Sequence, residues 1–174
     1  MEHASQLVDI LSPEGTVSHT KARQDVDKTK DTYHAIYVLL ITPEKDILLN
    51  VIPTRKDLPN LYSSRYGTTV ATIRRHGETA DEAAERAVSR ELFIEGAKPI
   101  RLGESFEVLP DGHKVLASAY YFQSETPDTY SSVDIGRLVA MTPKELDILV
   151  EADSEDLAPT LTMFWQKYRS KLPL

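Results

Sequence analysis

The feature that most limits the fold is the longest apolar run, Ala35-Ile36-Tyr37-Val38-Leu39-Leu40-Ile41. Its length suits a strand and falls far short of the ~18 residues of a membrane span. A strand this apolar reads as buried, so other elements must cover it. The turn Thr42-Pro43-Glu44-Lys45-Asp46 leads into a second strand, Ile47 to Ile52. Gly67 to Ile73 has weaker strand character, and two further strands lie near Ile100–Val108 and Val115–Phe122, around the turn Pro110-Asp111-Gly112. Arg137 to Met141 reads as a short strand. Upstream, Leu7–Leu11 and Thr16-Val17-Ser18 flank the turn Ser12-Pro13-Glu14-Gly15 and form a hairpin. The polar stretch Lys21 to Thr32 reads as a loop with no reason to be buried.

Helices punctuate these strands. Thr79 followed by Glu82 makes a capping box, and Ala80, Ala83, Ala84, Ala87, Val88 and Leu92 recur at helical spacing. Thr142-Pro143 opens a helix through about Val150. A last helix, roughly Leu157 to Leu172, gathers Leu161, Phe164, Trp165 and Tyr168 on one side. The expected architecture is an α/β fold, a mixed sheet covered by helices.

Composition narrows the function. The chain has 174 residues and no Cys, which removes disulfide frameworks, thiolate metal sites and thiol nucleophiles. Twenty Lys+Arg against 27 Asp+Glu leave −7, so no nucleic-acid partner is expected. Without a signal-like start or a membrane span, the expectation is a cytoplasmic protein. The five His residues show no metal-ligand spacing.

One segment carries chemistry: Arg74-Arg75-His76-Gly77-Glu78-Thr79, running through Arg86 to Arg90-Glu91-Leu92. A strand end, a tight Gly turn and a carboxylate-dense helix can hold a divalent cation against a diphosphate. An ordinary surface helix with a Glu82–Arg86 pair at i,i+4 accounts for the same composition. Arg74 and Arg75 are candidate phosphate ligands, because guanidinium forks match oxyanions. Glu104 and Glu107 are weaker candidates for a ligand or base on a neighbouring strand.

The arrangement resembles the Nudix box: Gly, five residues, Glu, seven residues, then Arg-Glu-apolar-any-Glu-Glu-any-Gly-apolar. The likeness is to the branch containing isopentenyl-diphosphate isomerase and extends over most of the chain. His34-Ala35-Ile36-Tyr37 is similar to that branch's entry into its first core strand. Thr54-Arg55-Lys56-Asp57-Leu58-Pro59 is similar to its basic approach to substrate phosphates, which makes Arg55 and Lys56 candidate substrate ligands. The resemblance implies a Nudix-type α/β/α sandwich, with residues 34–174 as the core and 1–33 as an N-terminal hairpin and loop added to one domain. It also implies Mg²⁺ or Mn²⁺ as cofactor and a phosphorylated, nucleotide-like small molecule as partner.

In the ungapped register Glu78 is the first Glu of the box, Arg86 its Arg, and Glu91 the second of its paired Glu residues. Glu78 and Glu91 are then the implied metal ligands, and Arg86 orients a carboxylate. The box is degenerate. Thr72 stands for the opening Gly, Ala87 for the Glu after the Arg, Arg90 for the first paired Glu, and Phe93 for the late Gly. A second register, Glu82 with Arg90-Glu91 and Glu95, slips the match by four residues and gives up Gly77-Glu78 and Arg86.

Three functions follow. The first is hydrolysis of a nucleoside diphosphate linked to another group, with weakened metal dependence. The second is a phosphate-binding module without catalysis, in which Arg90 supplies positive charge. The third, isomerase chemistry, is disfavoured because Ala71 and Ile73 stand where that branch has a thiol and a metal-binding His.

Overall fold

The computed structural model describes residues 6–54, 62–110, 112 and 114–174. Its centre is β3, Thr32–Ile41, the apolar run extended by three residues at its start. Beside it lie β4 (Ile47–Val51), β5 (Tyr66–Gly67), β6 (Val70–Ile73), β7 (Ile100–Val108), β8 (Lys114–Gln123) and β9 (Arg137–Met141). The sheet order is β5-β4-β3-β8-β7, with β6 also on β3 and β9 also on β4. β3 and β8 run parallel over ten residue pairs, whereas β7–β8, β3–β6 and β4–β9 are antiparallel. The sheet is therefore mixed. Gly67 to Ile73 divides into two strands with different neighbours.

Alternation along β3 supplies two cores. Tyr33, Ala35, Tyr37, Leu39 and Ile41 face one cluster, and Ile36, Val38 and Leu40 face the other. The second cluster receives α1 (Ala80–Leu92) through Ala83, Ala84, Ala87, Val88 and Leu92. Small alanines let this helix lie close to the strands. The first cluster receives α2 (Pro143–Glu151) through Leu146 and α3 (Pro159–Tyr168) through Leu161, Phe164, Trp165 and Tyr168. α3 is shorter than the sequence suggests; a 3₁₀ turn, Arg169–Lys171, continues it before Leu172.

The N-terminal hairpin, β1 (Leu7–Leu11) and β2 (Val17–Ala22), is a separate two-stranded sheet. Val8 and Ile10 sink into the first core. β2 runs four residues past Ser18, and the following loop is not wholly solvated. Asp31 is buried, taking both an ion pair from Lys21 and the amide of Asp27. A charged residue can be buried when its partners travel with it, which polarity alone does not reveal.

Candidate active site on the α1 side of the sheet

The site begins at a turn. β6 ends at Ile73, and Gly77 at φ +79° reverses the chain into α1. Thr79 caps α1 by accepting from the Glu82 amide, and Glu82 reaches back to the Thr79 amide. This commits Glu82 to the cap, so the expected Glu82–Arg86 pair does not form. Arg86 turns instead to Glu78. Its Nε lies 2.5 Å from Oε1 and its Nη2 lies 2.9 Å from Oε2, a two-point fork across the turn. Arg86 also donates to the Ile73 carbonyl at 3.2 Å, which ties the helix to the strand end. Burial pushes the Glu78 carboxyl up, but Arg86 and the Arg75 amide outweigh it and hold its pKa below the usual value.

One turn further along, Arg90 sits between two carboxylates. Its Nη2 is 2.5 Å from Glu91 Oε1 and 3.9 Å from Asp134 Oδ1. Glu91 is 3 % exposed, and burial raises its pKa to about 7; Arg90 opposes that rise and Asp134 adds to it. Asp134 comes from the segment ahead of β9. Ser131 fastens that segment by donating its amide to the Glu91 carbonyl and its hydroxyl to Asp134. Asn50 braces it from β4, donating to the Asp134 carbonyl and accepting from the Gly136 amide. Ala87, one turn before Glu91, is fully enclosed in the apolar cluster.

The other candidates are distributed differently. Arg74 donates to Asp9 of β1 at 3.0 Å and to the Glu78 carbonyl at 3.3 Å, so the hairpin already neutralises it. The Arg75 amide donates to Glu78 Oε2 at 3.0 Å, and its residue forms a bridge with Val8. Arg55 and Lys56 lie outside the described residues. Glu107 pairs with Lys167 of α3. Glu104 accepts from Ser118 Oγ at 2.6 Å and from Arg101 at 2.5 Å. His34 Nε2 lies 2.7 Å from the same serine, and burial lowers the His34 pKa to about 4. His34 is thus a neutral, satisfied residue of the sheet.

Nothing local in the chain points to Asp9, Asp134 or Arg23. Arg23 opens a short 3₁₀ turn after β2 and stands within electrostatic reach of Arg86, Arg90, Glu91 and Asp134. Each is a charged residue far from α1 along the chain, and only tertiary placement reveals it.

The family resemblance implies Mg²⁺ or Mn²⁺, and the donor set tests that. Glu78 is occupied by Arg86, Glu91 by Arg90, and the positions around them hold a methyl and a cation. Among the described residues no group of three His, Cys, Asp or Glu side chains is gathered for a metal ion. These residues do not fit a resident metal on their own, since Mg²⁺ requires several anionic or neutral oxygens at close range.

No protein-family sequence model matches the chain, and no curated protein sequence does. Solved structures do match. DR0079 of Deinococcus radiodurans superimposes with a TM-score of 0.75 over 94 % of this chain and 100 % of that one, at 17 % identity. A MutT protein of Methanosarcina mazei gives a TM-score of 0.64 over 84 % and 98 % of the two chains, at 15 % identity. A Nudix hydrolase of Nitrosomonas europaea gives 0.57 over 80 % and 90 %, at 17 % identity. With the mixed sheet between α1 and the α2–α3 pair, the chain has the α/β/α architecture of the solved Nudix structures.

Proposed function

We propose that the chain is a Nudix-type pyrophosphohydrolase of low turnover, acting on a nucleoside diphosphate linked to another group at the α1 side of the sheet. Glu91 carries this reading. A carboxyl whose pKa lies near 7 takes a proton from an attacking water at neutral pH far better than an ordinary carboxylate. Arg90 and Asp134 around it are only partly buried, which leaves an approach for a ligand. Arg90 stands where negative charge develops on phosphoryl oxygens, and Arg86 keeps Glu78 and the Gly77 turn in place. No step requires a metal held by the protein alone, so dependence on Mg²⁺ or Mn²⁺ is weak.

The test is a screen of nucleoside diphosphate derivatives, with and without Mg²⁺ or Mn²⁺, run beside Glu91→Gln. A base of this kind contributes about 10²–10⁴-fold, so turnover should fall by at least a hundredfold in the variant. Unchanged turnover removes Glu91 from the reaction.

The Arg90–Glu91 ion pair favours a second reading, a binding module without hydrolysis in which Arg90 meets the phosphate directly. Thermal stabilisation by nucleotide without metal, and without turnover of any compound, would establish it. Isomerase chemistry gains no support: Ala71 and Ile73 cannot supply a thiol or an imidazole, and His34 is tied to Ser118.

A further inference from the structure

We propose that the surface of β7 and β8 beside α1 carries a second binding site, in which Glu104, Arg101 and Phe106 take a neutral ring compound whose hydrogen-bond donor and acceptor stand side by side, as in a sugar diol or the amide edge of a nucleobase. The inference goes beyond the proposed hydrolysis and does not depend on it. Asp81 of α1 meets Tyr120 of β8, whereas Arg86 meets Thr72 of β6. β8 and β6 pair with β3 from opposite sides, and Arg90 follows Arg86 by one helical turn. The Glu104 cluster therefore lies across α1 from the Arg86–Arg90 flank.

The first observation is a buried network that serves one oxygen. Ser118 of β8 is fully buried and His34 of β3 nearly so. An apolar pair would fill this part of the sheet without partners, whereas a buried hydroxyl and imidazole are costly unless satisfied. Ser118 Oγ donates to Glu104 Oε2 at 2.6 Å. That uses its single proton, so His34 Nε2, 2.7 Å from Oγ, is the donor of that pair. His34 Nε2 also lies 3.2 Å from Glu104 Oε2, and Arg101 Nη2 donates to the same oxygen at 2.5 Å. Among the described residues no hydrogen bond or ion pair falls on Oε1, and the Glu104 side chain is 32 % exposed. The carboxylate is held by one oxygen and open at the other.

The second observation is Phe106. Two residues along β7 from Glu104, it projects on the same face of the sheet, and its ring is nearly half exposed. One edge of the ring is held by the N-terminal hairpin. A Cβ on Gly15 would come within 3.2 Å of Phe106 Cζ, so the glycine, at φ +85°, lets the turn close on that edge. An exposed aromatic ring thus stands fixed beside an open acceptor.

Charge selects the ligand. Arg101 is 46 % exposed, and its register partner Tyr120 donates to Asp81. A cation would meet Arg101, and an anion would meet Glu104 and Asp81. A neutral ring avoids both penalties. Its donor faces Glu104 Oε1, its acceptor faces the guanidinium, and its flat side covers Phe106.

The experiment titrates methyl ribofuranoside and uracil, separately, into the ¹⁵N-labelled protein and follows the amide chemical shifts. Acetate and tetramethylammonium serve as charged controls. At least one ring compound should give saturable shifts at residues 104–106 and 116–118, and neither control should. Saturation by the riboside assigns a sugar, and saturation by uracil assigns a nucleobase. Phe106→Thr removes an exposed ring from an edge strand and should weaken binding about fivefold with the melting temperature kept. In Glu104→Gln the three donors claim the remaining oxygen, so an amide nitrogen replaces the free acceptor; binding should weaken about tenfold. Ser118→Ala tests positioning: affinity should fall although Ser118 touches no ligand. A lowered melting temperature with full affinity in Ser118→Ala would make the network structural and overturn the inference. It is overturned equally by no saturable shift from either ring compound, by shifts centred on Arg86 and Arg90 instead, by comparable binding of a charged control, or by unchanged affinity in Phe106→Thr and Glu104→Gln. None of these results bears on the hydrolysis screen, which decides the proposed function by itself.

Discussion

Asp9 on the N-terminal hairpin lies 3.0 Å from Nη2 of Arg74, at the strand end that leads into α1. Its other oxygen is 2.7 Å from His76 Nδ1, so one buried carboxylate joins the hairpin to two residues that lead into the Gly77 turn. Asp9→Asn keeps the shape and removes the charge, leaving Arg74 without its counter-ion. Arg74 keeps some access to water, so the cost should be about 2 kcal/mol, below the full penalty for breaking a buried pair. Hydrogen exchange offers the sharper check. Amides of β1 and β2 should exchange faster in the variant, while those of β3 and β8 keep their protection. Uniform acceleration across the molecule would show that the hairpin is not a separately docked unit.

Glu78 and Arg86 give a prediction in acid. The folded-state pKa of Glu78 lies below its ordinary value of 4.5. The unfolded chain therefore takes up the proton first, and stability falls as the pH drops from about 4.5 through the folded-state value. Arg86→Gln removes the fork and most of this dependence, at a cost of about 2 kcal/mol near neutral pH for a partly shielded pair. Melting curves of both proteins between pH 3 and 7 should converge toward the acid end. A gap that stays constant over that range would place the contribution of Arg86 elsewhere.

The fold was legible because its signals are local. The apolar run of β3, the Thr79 and Thr142 capping boxes and the alanine stripe of α1 each follow from residues close together in the chain. The Glu78–Arg86 fork was not legible in this way: i,i+4 spacing points Arg86 to Glu82, and the family resemblance implied only that Arg86 orients a carboxylate. Nor were the partners of Arg90. Its neighbour Glu91 adjoins it in sequence, yet side chains at adjacent helix positions ordinarily diverge. Here the segment holding Ser131 and Asp134 meets both groups, Ser131 at the Glu91 carbonyl and Asp134 near Arg90. Arg74 looked like a phosphate ligand because its attraction to Asp9, 65 residues away, has no sequence signature. Long-range charge pairing decides which arginines of this chain remain available, and composition does not record it.

Phe93 ends α1 in the left-handed conformation, with φ 55° and ψ 28°, where the Nudix pattern resembled by this segment carries Gly. A side chain there meets the backbone clash that glycine avoids. The phenyl ring is 55 % exposed, so its removal sacrifices little burial. Phe93→Gly should therefore raise stability by about 1 kcal/mol, after the added entropy of glycine in the unfolded chain is subtracted. Chemical denaturation is the direct measurement. A loss of stability would mean that the exposed ring contributes more in packing than the strained backbone costs.

Glu91 gives the opposite pH dependence to Glu78. Burial raises its pKa to about 7 in the folded protein, against an ordinary value of 4.5. Between these values the folded state binds more protons than the unfolded chain, so the contribution of Glu91 to stability declines as the pH rises. Below about 4.5 the carboxyl is protonated in both states and the decline has not begun; above about 7 it is complete. Glu91→Gln cannot titrate and should lack this slope. The comparison is made as the difference in melting temperature between wild type and variant across pH 4.5 to 8. The Arg90 ion pair belongs to the same titration, because it exists only where Glu91 is ionised and its attraction is already contained in the folded-state pKa. The pH-dependent part isolates the carboxyl itself: the wild type should lose ground to Glu91→Gln with each step toward pH 7 and then level off. A flat difference would show that Glu91 is ionised over the whole range, and would withdraw its suitability as a base near neutrality.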